Sequence, residues 1–160
     1  MINGPAPTPI GSESALGTAL QAVATGAPNA GQAADAFAQQ VQQQVQQSAQ
    51  IKAAAQSGGF TVDPDTASEM IAAYNFALDE WTAGQTDIQL IIRNYPLGTS
   101  PQAKVTASWN LQAAQKLQAA YNQLGTVYQD QVDAYRSMIT NYQENEANVS
   151  DAMRRAGGHA

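Results

Sequence analysis

The sequence predicts an all-α protein: an antiparallel helix–turn–helix hairpin, of coiled-coil or bundle type, with an extra helix before it. Three observations carry that expectation. Apolar residues recur in alternating steps of three and four along two long stretches, the spacing of a helix seam. Turn chemistry is dense between those stretches, at residues 94–101. Only 12 % of the 160 residues are charged, and Ala and Gln, both good helix formers, fill the space.

Residues 1–30 hold Pro5, Pro7, Pro9 and Pro28 among Gly, Ala, Ser and Thr. That composition reads as a flexible arm. It has neither the basic start nor the compact apolar run of a secretory signal peptide. From residue 31 to 56 the character changes. Ala34, Ala38, Val41, Val45, Ser48 and Ile51 recur at helical spacing among glutamines, giving a helix with a thin apolar stripe. Low-complexity disorder is the other reading of the Gln39–Gln50 run.

Ser57-Gly58-Gly59 closes that segment. Asp63-Pro64-Asp65 opens the next, with Asp63 as N-cap, Pro64 at the first helical position and Asp65 at the positive end of the dipole. A helix from about 64 to 94 follows, its seam formed by Ile71, Tyr74, Leu78, Trp81, Gln85, Ile88, Ile92 and Tyr95. Tyr95, Pro96 and Gly98 mark the turn, and Ser100-Pro101 caps the last helix. That helix reaches about residue 156, or about 80 Å, before Gly157-Gly158. Residues 157–160 form a loose tail. Its seam runs Ala107, Asn110, Ala114, Leu117, Tyr121, Leu124, Tyr128, Gln131, Tyr135, Met138, Tyr142, Asn145 and Val149.

Folding the two long helices about Pro96–Pro101 sets Ile71 against Leu124, Tyr74 against Tyr121, Leu78 against Leu117, Trp81 against Ala114 and Gln85 against Asn110. Large residues then meet small ones and polar meets polar. Ile71, Tyr74, Leu78, Trp81, Leu117, Tyr121 and Leu124 make the expected hairpin core. In this register Gly84 gives room near Trp109 and Leu111, and both Trp81 and Trp109 read as core anchors. The second helix outlasts the first, leaving Tyr128, Tyr135, Met138 and Ile139 as a partner-facing surface. Either the 31–56 helix or a second protein chain covers it.

Composition also excludes functions. The chain carries 7 Lys and Arg against 13 Asp and Glu, a net charge of −6, and its cations do not cluster beyond Arg154 and Arg155. Nucleic acid and anionic membrane surfaces are therefore not expected partners. No stretch is long and apolar enough for membrane insertion. There is no cysteine, and the single histidine, His159, stands in the tail. Asp130 and Asp133 can share a face, but with no basic, His or Cys neighbour in sequence they read as solvated. No catalytic residues, metal site or cofactor are expected, and the chain does not read as an enzyme.

Tyr142-Gln143-Glu144-Asn145-Glu146 places Tyr142 and Glu146 four apart, on one helix face. An acidic, cysteine-free helical hairpin over residues 60–156, opening on Phe60-Thr61-Val62-Asp63-Pro64-Asp65 and closing on this Tyr-x-x-x-Glu, resembles the WXG-type and Esp-like substrates of actinobacterial type VII (ESX) secretion. The family's turn usually carries Trp-x-Gly, whereas this one has Tyr95-Pro96-Leu97-Gly98. The resemblance implies a secreted protein-interaction module, cytoplasmic before export and leaving by a signal-peptide-independent route to the surface or medium. It implies Tyr142 and Glu146 as the export signal. It also implies a homodimer or a cognate WXG-like partner, the type VII secretion ATPase, and a dedicated chaperone as partners. A non-exported structural or adaptor coiled coil is the alternative reading of the same fold.

Overall fold

The structure, a computed structural model, describes residues 12–92 and 98–158. They form four α-helices, with no strand among the described residues: α1 (Ser12–Thr25), α2 (Ala30–Gln56), α3 (Pro64–Ile91) and α4 (Pro101–Gly157). Tyr95, Pro96 and His159 lie outside the described residues; Gly98 lies within them, with φ at +119°.

The expected arm is corrected by α1, because residues 12–25 are helical. Leu16, Ala19, Leu20 and Val23 recur at three- and four-residue steps, and Ala19, Ala22 and Val23 are buried. The helix stops at Gly26, whose φ of +66° suits a residue without Cβ. There Gly26 N donates to Val23 O and Ala27 N to Ala22 O, satisfying two terminal carbonyls.

The glutamine-rich segment is an ordered helix. Ala34, Val41 and Ser48 of its expected stripe are buried, and so is Phe37, which that stripe omitted. Gly58, with φ at +78°, ends α2 as Gly26 ends α1: Gly58 N donates to Ala55 O and Gly59 N to Ala54 O. Both expected N-caps form. Thr66 N and Oγ1 donate to Asp63 Oδ2 at 3.0 and 2.9 Å, and Ala103 N donates to Ser100 Oγ at 3.1 Å.

The chain divides into two compact units: the described parts of Met1–Gln44 with Thr82–Leu124, and of Val45–Trp81 with Gly125–Ala160. In the first unit Val23, Phe37, Val41, Ile88, Leu117, Tyr121 and Leu124 are buried. Asn110 Nδ2 donates to Val23 O at 3.2 Å, and Lys116 pairs with Asp35 at 2.8 Å, tying α4 to α1 and α2. In the second unit Ala55, Ala134 and Met138 form a cluster flanked by Ile51, Val62 and Tyr135. Lys52 Nζ reaches Asp130 at 2.8 Å and Asp133 at 3.0 Å.

Helices α3 and α4 run antiparallel, as expected, but in a different register. The Trp81 ring lies over Gly125, and the hydroxyl end of Tyr121 over Gly84. Gln85 Nε2 donates to Asn122 Oδ1, not to Asn110. Tyr74 packs on Tyr128 and Tyr135, with centroids 6.3 and 6.1 Å away, rather than on Tyr121. The displacement is about ten residues of α4, or about 15 Å. Its physical reason is the reciprocal seating of two large rings on two glycines. A Cβ built at Gly125 would stand 2.6 Å from Trp81 Cζ2, so only glycine lets the ring approach. A further correction follows for the tryptophans: Trp109 is not a core anchor but is 67 % exposed.

Candidate functional site

The partner-facing surface expected at Tyr128, Tyr135, Met138 and Ile139 is largely filled from within the chain. Tyr128 and Met138 are buried, and Tyr135 and Ile139 are partly buried. Tyr74 stacks on Tyr135 at an interplanar angle of 28°, while Met138 packs in the Ala55 cluster. Two things cover the surface: the shifted register brings α3 alongside it, and α2 supplies Ile51 and Ala55. Burial raises the Tyr74 phenol to about 12, with a smaller push from Tyr135, and raises Tyr135 as well.

Asp130 and Asp133 are likewise not simply solvated. Lys52 lies far away in sequence, which is why spacing along α4 did not reveal it. Its ammonium bridges both carboxylates. The hydrogen bonds to Asp130 and Asp133 raise Lys52, and the bond from Lys52 holds Asp133 low. With the ammonium inside it, this cluster is an ion-pair tie between helices. No group of three or more His, Cys, Asp or Glu able to hold a metal occurs among the described residues. No described helix is long and apolar enough to cross a membrane.

Past Tyr142 the last four turns of α4 change character. Every residue from 143 to 158 is exposed. The helix continues there, although an isolated segment of this length is marginal without packing. Its polar residues are interrupted by Val149, 55 % exposed, and Met153, 70 % exposed. Tyr142, Glu146, Val149 and Met153 are spaced four, three and four apart and share one face.

Tyr142 and Glu146 meet on this face. The Tyr142 hydroxyl donates to Glu146 Oε1 at 3.0 Å. That bond and the carboxylate's charge push the phenol above its usual range, with a smaller contribution from Asp63. Asp63 itself is held low by the Thr66 amide and hydroxyl it accepts from. Beneath the pair, Asn141 Nδ2 donates to Ala55 O at 2.6 Å, fastening this part of α4 to the end of α2. The face borders an open groove of about 650 Å³ lined by Thr61, Tyr142, Asn145, Glu146, Val149, Ser150 and Met153. Sequence spacing found Tyr142 and Glu146. It did not find Thr61, which sits some eighty residues earlier and arrives only through folding.

A second groove, of about 500 Å³, lies in the other unit, between the α1–α2 corner and α4. Trp109 forms one wall, and the Asp35–Lys116 pair another.

The Tyr142–Met153 face carries no His, Cys or Lys among its lining residues. What it offers is an exposed helical face carrying an aromatic ring, two apolar side chains and one carboxylate, which suits recognition by a protein groove. No protein-family model, no curated protein and no solved structure matches the chain.

Proposed function

We propose that the chain is a substrate of an actinobacterial type VII (ESX) secretion system, exported folded, with Tyr142 and Glu146 as its export signal. The single observation that supports this most is the state of that pair. It is hydrogen-bonded, accessible, and placed where α4 leaves its packing partners. A recognition element must be reachable without unfolding the domain, and this one is. A groove on the secretion ATPase would take the tyrosine ring with Val149 and Met153 as apolar anchors, and a cation there would meet Glu146.

On this reading the protein is cytoplasmic before export and then secreted or held at the cell surface. It works outside as a protein-interaction module rather than an enzyme. A second copy, or a cognate WXG-like chain, is its proposed companion, and a dedicated chaperone is a further proposed contact. The missing Trp-x-Gly at residues 95–98 points to the Esp-like branch of the resemblance.

The test is export from an actinobacterial host with an intact ESX system, comparing wild type, Tyr142→Ala and Glu146→Ala. The expected outcome is wild type in the medium and both variants retained in the cell, with unchanged helicity by circular dichroism. Equal distribution of all three would sink the proposal. The adaptor reading would then stand, with the exposed Trp109 as its natural docking anchor.

A further inference from the structure

Trp109 belongs to the unit formed by Met1–Gln44 and Thr82–Leu124. The exposure of one tryptophan means little by itself. Three features of the groove it walls give that exposure a meaning. The rest of the lining comes from α4 and from the α1–α2 corner, where Gly26, Ala27, Pro28, Ala30 and Gly31 carry little or no side chain. At about 500 Å³ the groove falls within the range of about 300–1,000 Å³ seen for small-molecule sites.

The first feature is an orphan acceptor. Asn110, half-buried in the groove wall, donates Nδ2 to Val23 O at 3.2 Å. A backbone carbonyl only accepts, so this bond fixes which end of the amide faces it and turns Oδ1 away. Oδ1 is shielded from water and accepts no hydrogen bond among the described residues. Buried acceptors are seldom left in that state. Reaching it requires a lining side chain to turn, and exposed ones such as Trp109 and Gln112 change rotamer readily. The second feature is an absent side chain. Gly31 lies in the first turn of α2 without a positive φ, so its backbone does not call for glycine. Glycine is also the weaker helix former there. A Cβ built at Gly31 meets nothing within 4 Å, so its absence keeps the wall open. The third feature is charge. Asp35 and Lys116 are the only ionic residues in the lining, and they pair at 2.8 Å, so the groove presents no net charge.

We propose that this groove is a binding site for an uncharged planar ring that carries an N–H donor. The ring lies on Trp109, where offset stacking adds to the burial of apolar area. Its N–H meets Asn110 Oδ1 and supplies the hydrogen bond that the described residues do not. A ligand with a formal charge has to compete with the Asp35–Lys116 pair, which sets the preference for a neutral one. The site shares no residue with the Tyr142–Glu146 groove, so it stands or falls independently of the export reading. It also gives the two N-terminal helices a role. They supply the Gly26–Gly31 corner and the Val23 carbonyl that orients Asn110.

The experiment uses the full chain and two probes, indole and 1-methylindole, which share a ring system and differ in the N–H. Binding is followed by two-dimensional NMR titration, reading the Trp109 indole N–H and the Asn110 side-chain amide. The expected result is that indole shifts both signals and binds at least tenfold more tightly than 1-methylindole. Gly31→Phe puts a ring into the groove, and Trp109→Ala removes the stacking surface at an exposed position. Each is expected to weaken indole at least tenfold, with melting by circular dichroism close to wild type. Should Gly31→Phe fail to fold, Trp109→Ala decides. Phe76→Ala removes an aromatic side chain of the same 67 % exposure that does not line the groove, and it leaves the affinity unchanged. Equal affinity for the two probes would show stacking on an apolar surface without the Asn110 bond, and would overturn the proposal. Undiminished binding of indole to Trp109→Ala would place the ring elsewhere and overturn it as well. So would a wild-type chain whose Asn110 amide does not respond to indole.

Discussion

Two glycines admit close aromatic approaches that a Cβ would obstruct. Gly84 and Gly125 seat the Tyr121 and Trp81 rings, and a methyl group at Gly125 has nowhere to go. Gly125→Ala gains about 1 kcal/mol of helix propensity, but overpacking of this kind costs about 1–3 kcal/mol. The expected net is a fall in melting temperature of about 3 °C. Gly17→Ala, in α1 with nothing within 4 Å, meets no such opposition and raises it. A thermal melt of the two variants beside wild type checks both signs. Ionisable groups set the pH limits of the same packing. Asp133 is depressed by Lys52, so its contribution is present above the ordinary carboxylate range and is lost as pH falls through its lowered value. Tyr74 and Lys52 are raised, so theirs are present below about pH 10 and are lost as pH rises, for Tyr74 through about 12. Stability should therefore be flat between about pH 5 and 9 and fall at both ends. Lys52→Met costs about 0.5–1 kcal/mol at neutral pH, the pair being partly exposed and screened, and flattens the acid limb of a melting-temperature profile. Tyr74→Phe removes part of the alkaline limb.

At the scale of the helices, ends were more legible than partners. Asp63 and Ser100 stand where capping chemistry requires and make the expected bonds. Ser100→Ala should cost about 1 kcal/mol, and amide exchange should quicken in the first turn of α4 rather than uniformly. The seams of α3 and α4 were equally visible, since a strict alternation of three and four is hard to produce without a buried face. Yet α4 has a second buried stripe, Ala113, Ala120, Val127 and Ala134, seven apart. Its members are small, so hydropathy alone did not separate them from the alanine-rich surface. For the same reason α1 was hidden. Two of its three buried residues, Ala19 and Ala22, are alanine, and alanine is as common on the outside of the described residues as within. Phe37, fully buried, was the one large signal in α2 that the expected stripe missed.

In the unit formed by Val45–Trp81 and Gly125–Ala160, the notable asymmetry lies along α4, between its packed Tyr128–Met138 stretch and its exposed end. The Tyr128–Met138 stretch, expected to await a partner, is satisfied by Tyr74, Ile51 and Ala55. Beyond it, every residue of α4 from 143 onward is exposed. Because every residue of that segment is exposed, ending the chain after Glu146 should alter unfolding free energy by less than about 0.5 kcal/mol. The same truncation removes Val149 and Met153 and is expected to abolish export. A melt and a secretion blot on one variant separate the two roles. Should the truncated chain melt far below wild type, the end would be structural and its part in recognition would need another basis.

Local patterning was enough for the helical class, the positions of α2, α3 and α4, the Asp63 and Ser100 caps and the Tyr142–Glu146 spacing. These depend on local rules: propensity, periodicity and the chemistry of helix ends, all written within a few residues. Tertiary structure alone decided which register α3 and α4 adopt, what covers Tyr128 and Met138, where Lys52 finds its carboxylates, and that Thr61 stands beside Tyr142. Each of those is a contact between residues far apart in the chain. A seam of regular steps fits its partner almost equally well at several registers. The choice among them falls to close packing, where one ring resting on one glycine outweighs the pattern that every register shares.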